Sequence, residues 1–214
     1  MWRRAAKTPG SRSMFTGIIE SVGTVRDLAA APGGERLQLA TSLAAELKPG
    51  DSLAVNGVCL TVVATGGPGD SEVTADIGPE TARVTNLSTL AAGAVVNLER
   101  PMRFQGRVDG HLVLGHVDGT GQVEAIRADG DSHWVTIAFP RSEERLVILK
   151  GSIAVDGVSL TVAALGEGQL EVQIVPYTWT HTTFSRMRPG DKVNLEYDMI
   201  GKFVLRALDR TGRV

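Results

Sequence analysis

The sequence holds a single thiol, Cys59, and it stands at a position that recurs. Ser52-Leu-Ala-Val-Asn-Gly-Val-Cys-Leu-Thr-Val62 returns 100 residues later as Ser152-Ile-Ala-Val-Asp-Gly-Val-Ser-Leu-Thr-Val162, identical at eight of eleven positions. Cys59 therefore aligns with Ser159, and Thr61 with Thr161. A thiol or hydroxyl within reach of a histidine is the raw material of a nucleophile and its base. Two histidines, His111 and His116, lie in Asp109-Gly-His-Leu-Val-Leu-Gly-His-Val-Asp118. Five apart in a strand-like setting, they point to opposite faces. That is a poor spacing for two ligands of one metal, and no carboxylate pair supports a zinc site. The plainer reading is one histidine aimed into a pocket as acid, base or hydrogen-bond partner, against a purely structural histidine. Cys59 taken alone also reads as a buried small hydrophobe. Its recurrence as Ser159 favours one polar handle used twice.

The elements that must hold these side chains are hairpins. Asn56-Gly57 and Asp156-Gly157 between β-branched and apolar runs are strong tight-turn signals. The repeat extends beyond them: Gly17 to Val25 aligns with Gly115 to Val123 at an offset of 98. Glu80-Thr81 aligns with Tyr177-Thr178, and Gly93 to Glu99 with Gly190 to Glu196, both at 97. Such a long, collinear period means a duplicated domain. Each half reads as about six short strands with frequent turns, the spacing of a barrel or sandwich. Arg36-Leu-Gln-Leu-Ala40 alternates as a half-buried strand should. Ser42 is expected to cap a helical turn over Leu43 to Lys48. Residues 201–210 form the best helix candidate, with Phe203, Val204, Ala207 and Leu208 on one face. That face either docks on its own barrel or packs against other subunits.

Composition excludes several classes. A net charge of −2 and a pI near 6.1 argue against a partner bound by phosphate neutralisation, so no nucleic acid is expected. One cysteine forms no internal disulfide and fits a reducing compartment. No apolar run approaches the roughly 20 residues that span a bilayer. There is no phosphate-loop motif and no dinucleotide-fold context. Residues 1–13 carry Arg3, Arg4, Lys7 and Arg12 without an acid. They read as a basic, disordered extension or an upstream start before Met14, with a targeting segment as the alternative.

The motifs also carry a resemblance. Met14-Phe-Thr-Gly-Ile-Ile-Glu20, Asn56-Gly-Val-Cys-Leu-Thr-Val62 and Gly110-His-Leu-Val-Leu-Gly-His-Val-Asp-Gly119 resemble signatures of the riboflavin synthase family. So do Lys150 to Val162 and Asn194-Leu-Glu-Tyr-Asp-Met-Ile-Gly-Lys-Phe-Val204. The likeness runs in order from Met14 to about Val204. It implies an all-β fold of two tandem six-stranded Greek-key barrels, residues 14–108 and 109–200, with residues 201–214 as a trimerisation helix. It further implies a cytoplasmic homotrimer acting between the N-barrel of one chain and the C-barrel of the next, able to associate with lumazine synthase. Two 6,7-dimethyl-8-ribityllumazine molecules exchange a four-carbon unit there, giving riboflavin and 5-amino-6-ribitylamino-uracil, with no metal or redox cofactor.

By position, Gly17, Ile18 and Ile19, Cys59, Leu60 and Thr61, and Asp76, Ile77, Gly78, Pro79, Glu80 and Thr81 match the family's N-barrel ligand contacts. Gly115, His116 and Val117, Ser159, Leu160 and Thr161, and Val175, Pro176, Tyr177, Thr178, Trp179 and Thr180 match the C-barrel ones. Phe15 joins the substrate-binding set, and Lys150 matches a contact to a neighbouring subunit's ligand. The implied catalytic set is Ser159, Cys59, His116, His111, Asp156 and Thr161. Ser159, Cys59 or an activated water adds to C7 of the acceptor lumazine. His116 or His111 moves the proton lost by the donor's 7-methyl, Asp156 assists, and Thr61 and Thr161 bond the heterocycle. Leu114 departs from the family, standing where many relatives carry Ser and removing one polar contact. A lumazine-binding accessory protein with one working pocket is the rival reading.

Overall fold

Twelve strands close into two barrels with the same connectivity. The computed structural model describes residues 13–66, 69 and 71–211; the remainder of the expected extension, residues 1–12, lies outside them. The first barrel comprises β1 (Ser21–Ala31), β2 (Gly34–Ala40), β3 (Ser52–Val55), β4 (Val58–Gly66), β5 (Glu72–Ile77) and β6 (Val95–Glu99), in the order β1-β2-β5-β4-β3-β6. The second comprises β7 (Gly119–Asp129), β8 (Ser132–Ala138), β9 (Ser152–Val155), β10 (Val158–Gly166), β11 (Gln169–Ile174) and β12 (Lys192–Tyr197), in the equivalent cyclic order. All pairings are antiparallel, and register shifts recur at Val25/Asp27 and Val123/Ala125, and again at Val62/Ala64 and Val162/Ala164. Bulges at matching places add the local twist that closing a small barrel demands.

Alternation fills each interior. Along β2, Leu37 and Leu39 are fully buried while Arg36 faces solvent, as their spacing predicts. Fully burying each such leucine is worth about 1.5–3 kcal/mol. Both hairpin turns take left-handed backbone at both central residues: Asn56 and Gly57 have φ of 44° and 77°, Asp156 and Gly157 of 43° and 80°. This is the turn whose twist matches paired strands.

Three local features differ from the sequence reading. Thr41, not Ser42, caps the single turn over Ser42–Glu46, its hydroxyl accepting from Leu43 N. Short helices α1 (Pro79–Val84) and α2 (Pro176–His181) follow β5 and β11, each opened by a proline whose missing N–H suits a first turn. The terminal helix, α3 (Met199–Thr211), starts two residues early because Asp198 Oδ1 accepts from Ile200 N at 2.9 Å. Its apolar stripe is uncovered in the single chain, with Phe203 68 % exposed.

The barrels meet about an approximate two-fold. Phe15 and Val113 pair in an antiparallel bridge and bury themselves with Ala54 and Ala154. Gly57 and Gly157 lie back to back, and a Cβ on either would sit 2.7 Å from the other's nitrogen. Around them runs a polar hub. Asn97 N donates to Asn56 Oδ1 and Asn194 N to Asp156 Oδ1, while Asn97 Nδ2 reaches Asp156 O and Asn194 Nδ2 reaches Asn56 O. These four bonds form two mirrored pairs, so the turns clamp one barrel to the other.

Candidate active sites

Cys59 and Ser159 open the second strand of each clamped hairpin, half-buried, and each is overlain by a segment crossing from the other half. Ser159 N donates to Gly17 O at 2.8 Å, and Cys59 N donates to Gly115 O at 2.9 Å. A Cβ on Gly17 would meet Ser159 Cβ at 2.6 Å, and one on Gly115 would meet Cys59 Cβ at 2.5 Å. Both glycines have left-handed φ, 76° and 75°, so their identity is fixed twice over. Ile19 packs against the second barrel's core and Val117 against the first's. The grouping expected from sequence is therefore exchanged. Gly17 and Ile19 lie with Ser159 and the second barrel, while Gly115 and Val117 lie with Cys59 and the first, and Ile18 faces the first barrel's cleft with Thr61. The cause is the two-fold junction, which carries each segment over to its neighbour.

Buried glutamates anchor the crossings. Glu99, on β6, accepts from Thr16 N, Thr16 Oγ1 and Gly17 N at 2.7, 2.8 and 3.0 Å. Glu196, on β12, accepts from Leu114 N at 2.7 Å. Burial raises both carboxyls above the usual range. Sequence reasoning missed them, although Asn97-Leu-Glu99 and Asn194-Leu-Glu196 recur within the aligned segments; an acid in an apolar strand was the available signal.

The two handles differ in their partners. His111 Nδ1 and Ser159 Oγ lie 2.7 Å apart, and burial lowers the imidazole's pKa. A neutral ring can accept the hydroxyl proton, so this pair is a competent base and handle. His116 is exposed and forms no such pair. Desolvation pushes the Cys59 thiol up, opposed by a bond with Ser52 and reinforced by the Glu196 charge. No cation among the described residues lowers it, so its surroundings favour the thiol over the thiolate that nucleophilic attack requires.

The other expected residues sort as follows. Phe15 is fully buried at the junction, Leu60 and Ile77 are buried in the first barrel's core, and Leu160 packs against the second's. Thr61, Thr161, Gly78, Pro79, Val175, Pro176, Tyr177 and Thr180 are exposed, and Thr81 and Thr178 half-exposed. Asp76 pairs with Arg36 at 2.8 Å, which lowers its pKa, and Glu80 pairs with Arg83 at 2.6 Å. Trp179 stacks on His133 with ring centroids 3.7 Å apart, Tyr177 on His181 at 3.9 Å. Thr61 and Ile18 line an open cleft of 820 Å³ with Thr16, Ser52, Glu99 and Arg100. Lys150 is exposed with a φ of 66°, where its counterpart is Gly50 at 94°. Asp156 departs from its expected catalytic place. Its carboxylate is 4 % exposed in the hub and accepts from Asn194 N and Asn86 Nδ2. With Asn86 it also lines a second cleft of 590 Å³ between the barrels' turns.

Two closed barrels joined by exchanged segments, each with one small polar handle, define a protein of two duplicated barrel domains. The lumazine binding domain model matches twice, at residues 16–101 and 114–198. The riboflavin synthase of Mycobacterium tuberculosis (strain H37Rv) is 44 % identical over 205 residues, covering 93 % of this chain and 100 % of that protein. That of Bacillus subtilis (strain 168) is 41 % identical over 198 residues, with coverages of 92 % and 91 %. The fold is shared with crystal structures of LumP. The complex with 6,7-dimethyl-8-(1'-D-ribityl) lumazine gives a TM-score of 0.77 at 23 % identity over 85 % of this chain and 98 % of that one, and the riboflavin complex gives 0.79. The chain belongs to the riboflavin synthase family.

Proposed function

We propose that the protein is a riboflavin synthase, converting two molecules of 6,7-dimethyl-8-ribityllumazine into riboflavin and 5-amino-6-ribitylamino-uracil. The observation that carries this is the exchanged pair of equivalent pockets in one chain. Two identical substrates must meet in opposed orientation, and two copies of one pocket present them so. Orientation of this kind can contribute roughly 7–11 kcal/mol to a barrier. The two lumazines contain every atom of the two products, so the exchange needs no external oxidant or reductant.

The pockets take different parts. Ser159 with His111 serves the C-barrel, where the hydroxyl, or a water it orients, adds at C7 of the acceptor lumazine while His111 holds the displaced proton. The donor sits in the N-barrel, where Cys59 and Thr61 supply hydrogen bonds and the acidic 7-methyl loses its proton. Residues 14–108 and 109–200 form the two substrate-binding halves, each completed by the other's entry segment. The uncovered Ile200, Phe203 and Val204 of α3 are the faces a homotrimer covers. Trimerisation brings an N-barrel to a neighbour's C-barrel, with exposed Lys150 reaching across. Among the described residues no helix is long and apolar enough to cross a membrane. A half-buried free thiol fits a reducing cytoplasm.

The test is direct: purified protein mixed with the lumazine alone forms riboflavin without added cofactor. No riboflavin, together with binding of one lumazine per chain in place of two, would establish the accessory-protein reading instead.

A further inference from the structure

Comparison of the two anchoring glutamates shows an imbalance between the pockets. Glu99 and Glu196 are equally buried, each 4 % exposed, at matching places on β6 and β12. Both oxygens of Glu99 are filled, and one of its three donors is the Thr16 hydroxyl. The residue 98 positions on from Thr16 is Leu114, which has no hydroxyl. Glu196 Oε1 takes Leu114 N alone, and Glu196 Oε2 is buried with no close hydrogen bond, the Gly115 N–H only easing the charge.

An unfilled carboxylate oxygen in a dry place penalises the charged form. The charged and titratable groups around Glu196 are the Cys59 thiol of β4, Lys202 of α3 and Asp118 of the crossing segment. Lys202 is bound to Asp118 at 2.5 Å, so its charge is largely spoken for. Burial outweighs these and raises the Glu196 carboxyl. The strip that Glu196 holds, Leu114-Gly115, is the one lying on Cys59, while the better-filled Glu99 holds the strip on Ser159. Loss of the carboxylate charge removes the charge assistance from the Leu114 N–H bond, roughly halving its strength.

We propose that Glu196 is a positioning residue of the N-barrel pocket, and that Leu114, by withholding the hydroxyl that Thr16 gives Glu99, makes this pocket the one whose geometry responds to acid. The inference rests on the riboflavin synthase reading. As pH falls through the raised Glu196 value, the proton goes on, the strip relaxes from Cys59, and lumazine capture weakens in this half before the half whose strip Glu99 holds with three donors.

The experiment is the pH profile of kcat/KM for riboflavin formation in the wild type, Leu114→Thr, Leu114→Ser and Glu196→Gln, with thermal unfolding of each at every pH. A hydroxyl at 114 gives Oε1 the second donor that Thr16 Oγ1 gives Glu99 Oε1, and shifts the acid limb down by about one pH unit, the size expected of one bond to a charged group. Glu196→Gln cannot ionise and loses that limb, with a higher KM across the range. An acid limb unmoved in both position-114 variants overturns the proposal, as does a uniform loss of activity that follows unfolding. If the wild type makes no riboflavin, the functional reading fails instead; lumazine fluorescence titrations of the same variants then still read whether acid weakens one of two binding sites.

Discussion

Replacing Asp156 by Asn tests the hub against the catalytic reading of that residue. Its burial pushes the carboxyl from 3.8 up to about 7, against the lowering effect of the Asn194 backbone and Asn86 side chain. The folded state thus binds the proton more tightly than the unfolded chain. Stability from this group is complete below pH 4, falls as pH rises from about 4 to 7, and is flat above. A rise of roughly three units, at about 1.4 kcal/mol each, sets the neutral-pH penalty on the order of 4 kcal/mol. At pH 5 only about a third of it applies. The counterpart Asn56 shows that an amide fits: it accepts from Asn97 N at 2.8 Å with a φ of 44°, against 2.7 Å and 43° at Asp156. Asp156→Asn is therefore expected to stabilise the fold at pH 8, and by about 2–3 kcal/mol more there than at pH 5. Urea unfolding at one protein concentration and both pH values measures this. A pH-independent difference, or a variant less stable at pH 8, refutes the reasoning. Turnover is the second readout: a clamp leaves it within about twofold, whereas a proton-transfer role would drop it by about 10²-fold or more.

Ser159→Ala should lower kcat by about 10²-fold with lumazine affinity nearly unchanged, and Cys59→Ser should retain most activity; equal losses in single-turnover kinetics would remove the distinction between the handles. Lys150→Gly relieves a left-handed backbone costing about 1 kcal/mol, so unfolding should show a gain in stability while turnover falls. Ending the chain at Gly201 should give monomers that bind lumazine yet turn over poorly, and trimers persisting in sedimentation would sink the role given to α3.

What the sequence made legible was local. Asn-Gly and Asp-Gly turns declare hairpins because few backbones satisfy two successive positive φ values, and the repeat of those hairpins declares two barrels. Alternation in β2 reads directly as inside and outside. The exchange of Gly17 and Gly115 was hidden because nothing local in either segment says which barrel receives it; that depends on a junction where Phe15 meets Val113 across 98 residues. Likewise α1 and α2, six residues each, are too short for a helical period to show. Glu99 and Glu196 look like ordinary strand ends until the orphaned N–H groups they satisfy are in view. The departure at Leu114 was visible in the sequence, but the group it deprives was not.

The pattern of divergence between the halves bears on why the chain was kept doubled. Positions that hold the barrels together are the same or nearly so in both copies: Gly57 and Gly157, Asn97 and Asn194, Glu99 and Glu196. Positions around the two handles differ: Cys59 against Ser159, Ser13 against His111, Gly50 against Lys150, Ala82 against Trp179, Thr16 against Leu114. A dismutation uses one compound in two roles, and a symmetric pair of pockets would offer both molecules the same chemistry. Here the partners of the handles break that symmetry. One hydroxyl has a neutral imidazole at 2.7 Å, while the thiol opposite has only a hydroxyl and a nearby carboxylate to keep it protonated. On the proposed function, the two like halves bind the substrates alike, and these few substitutions are what would make one of them the acceptor.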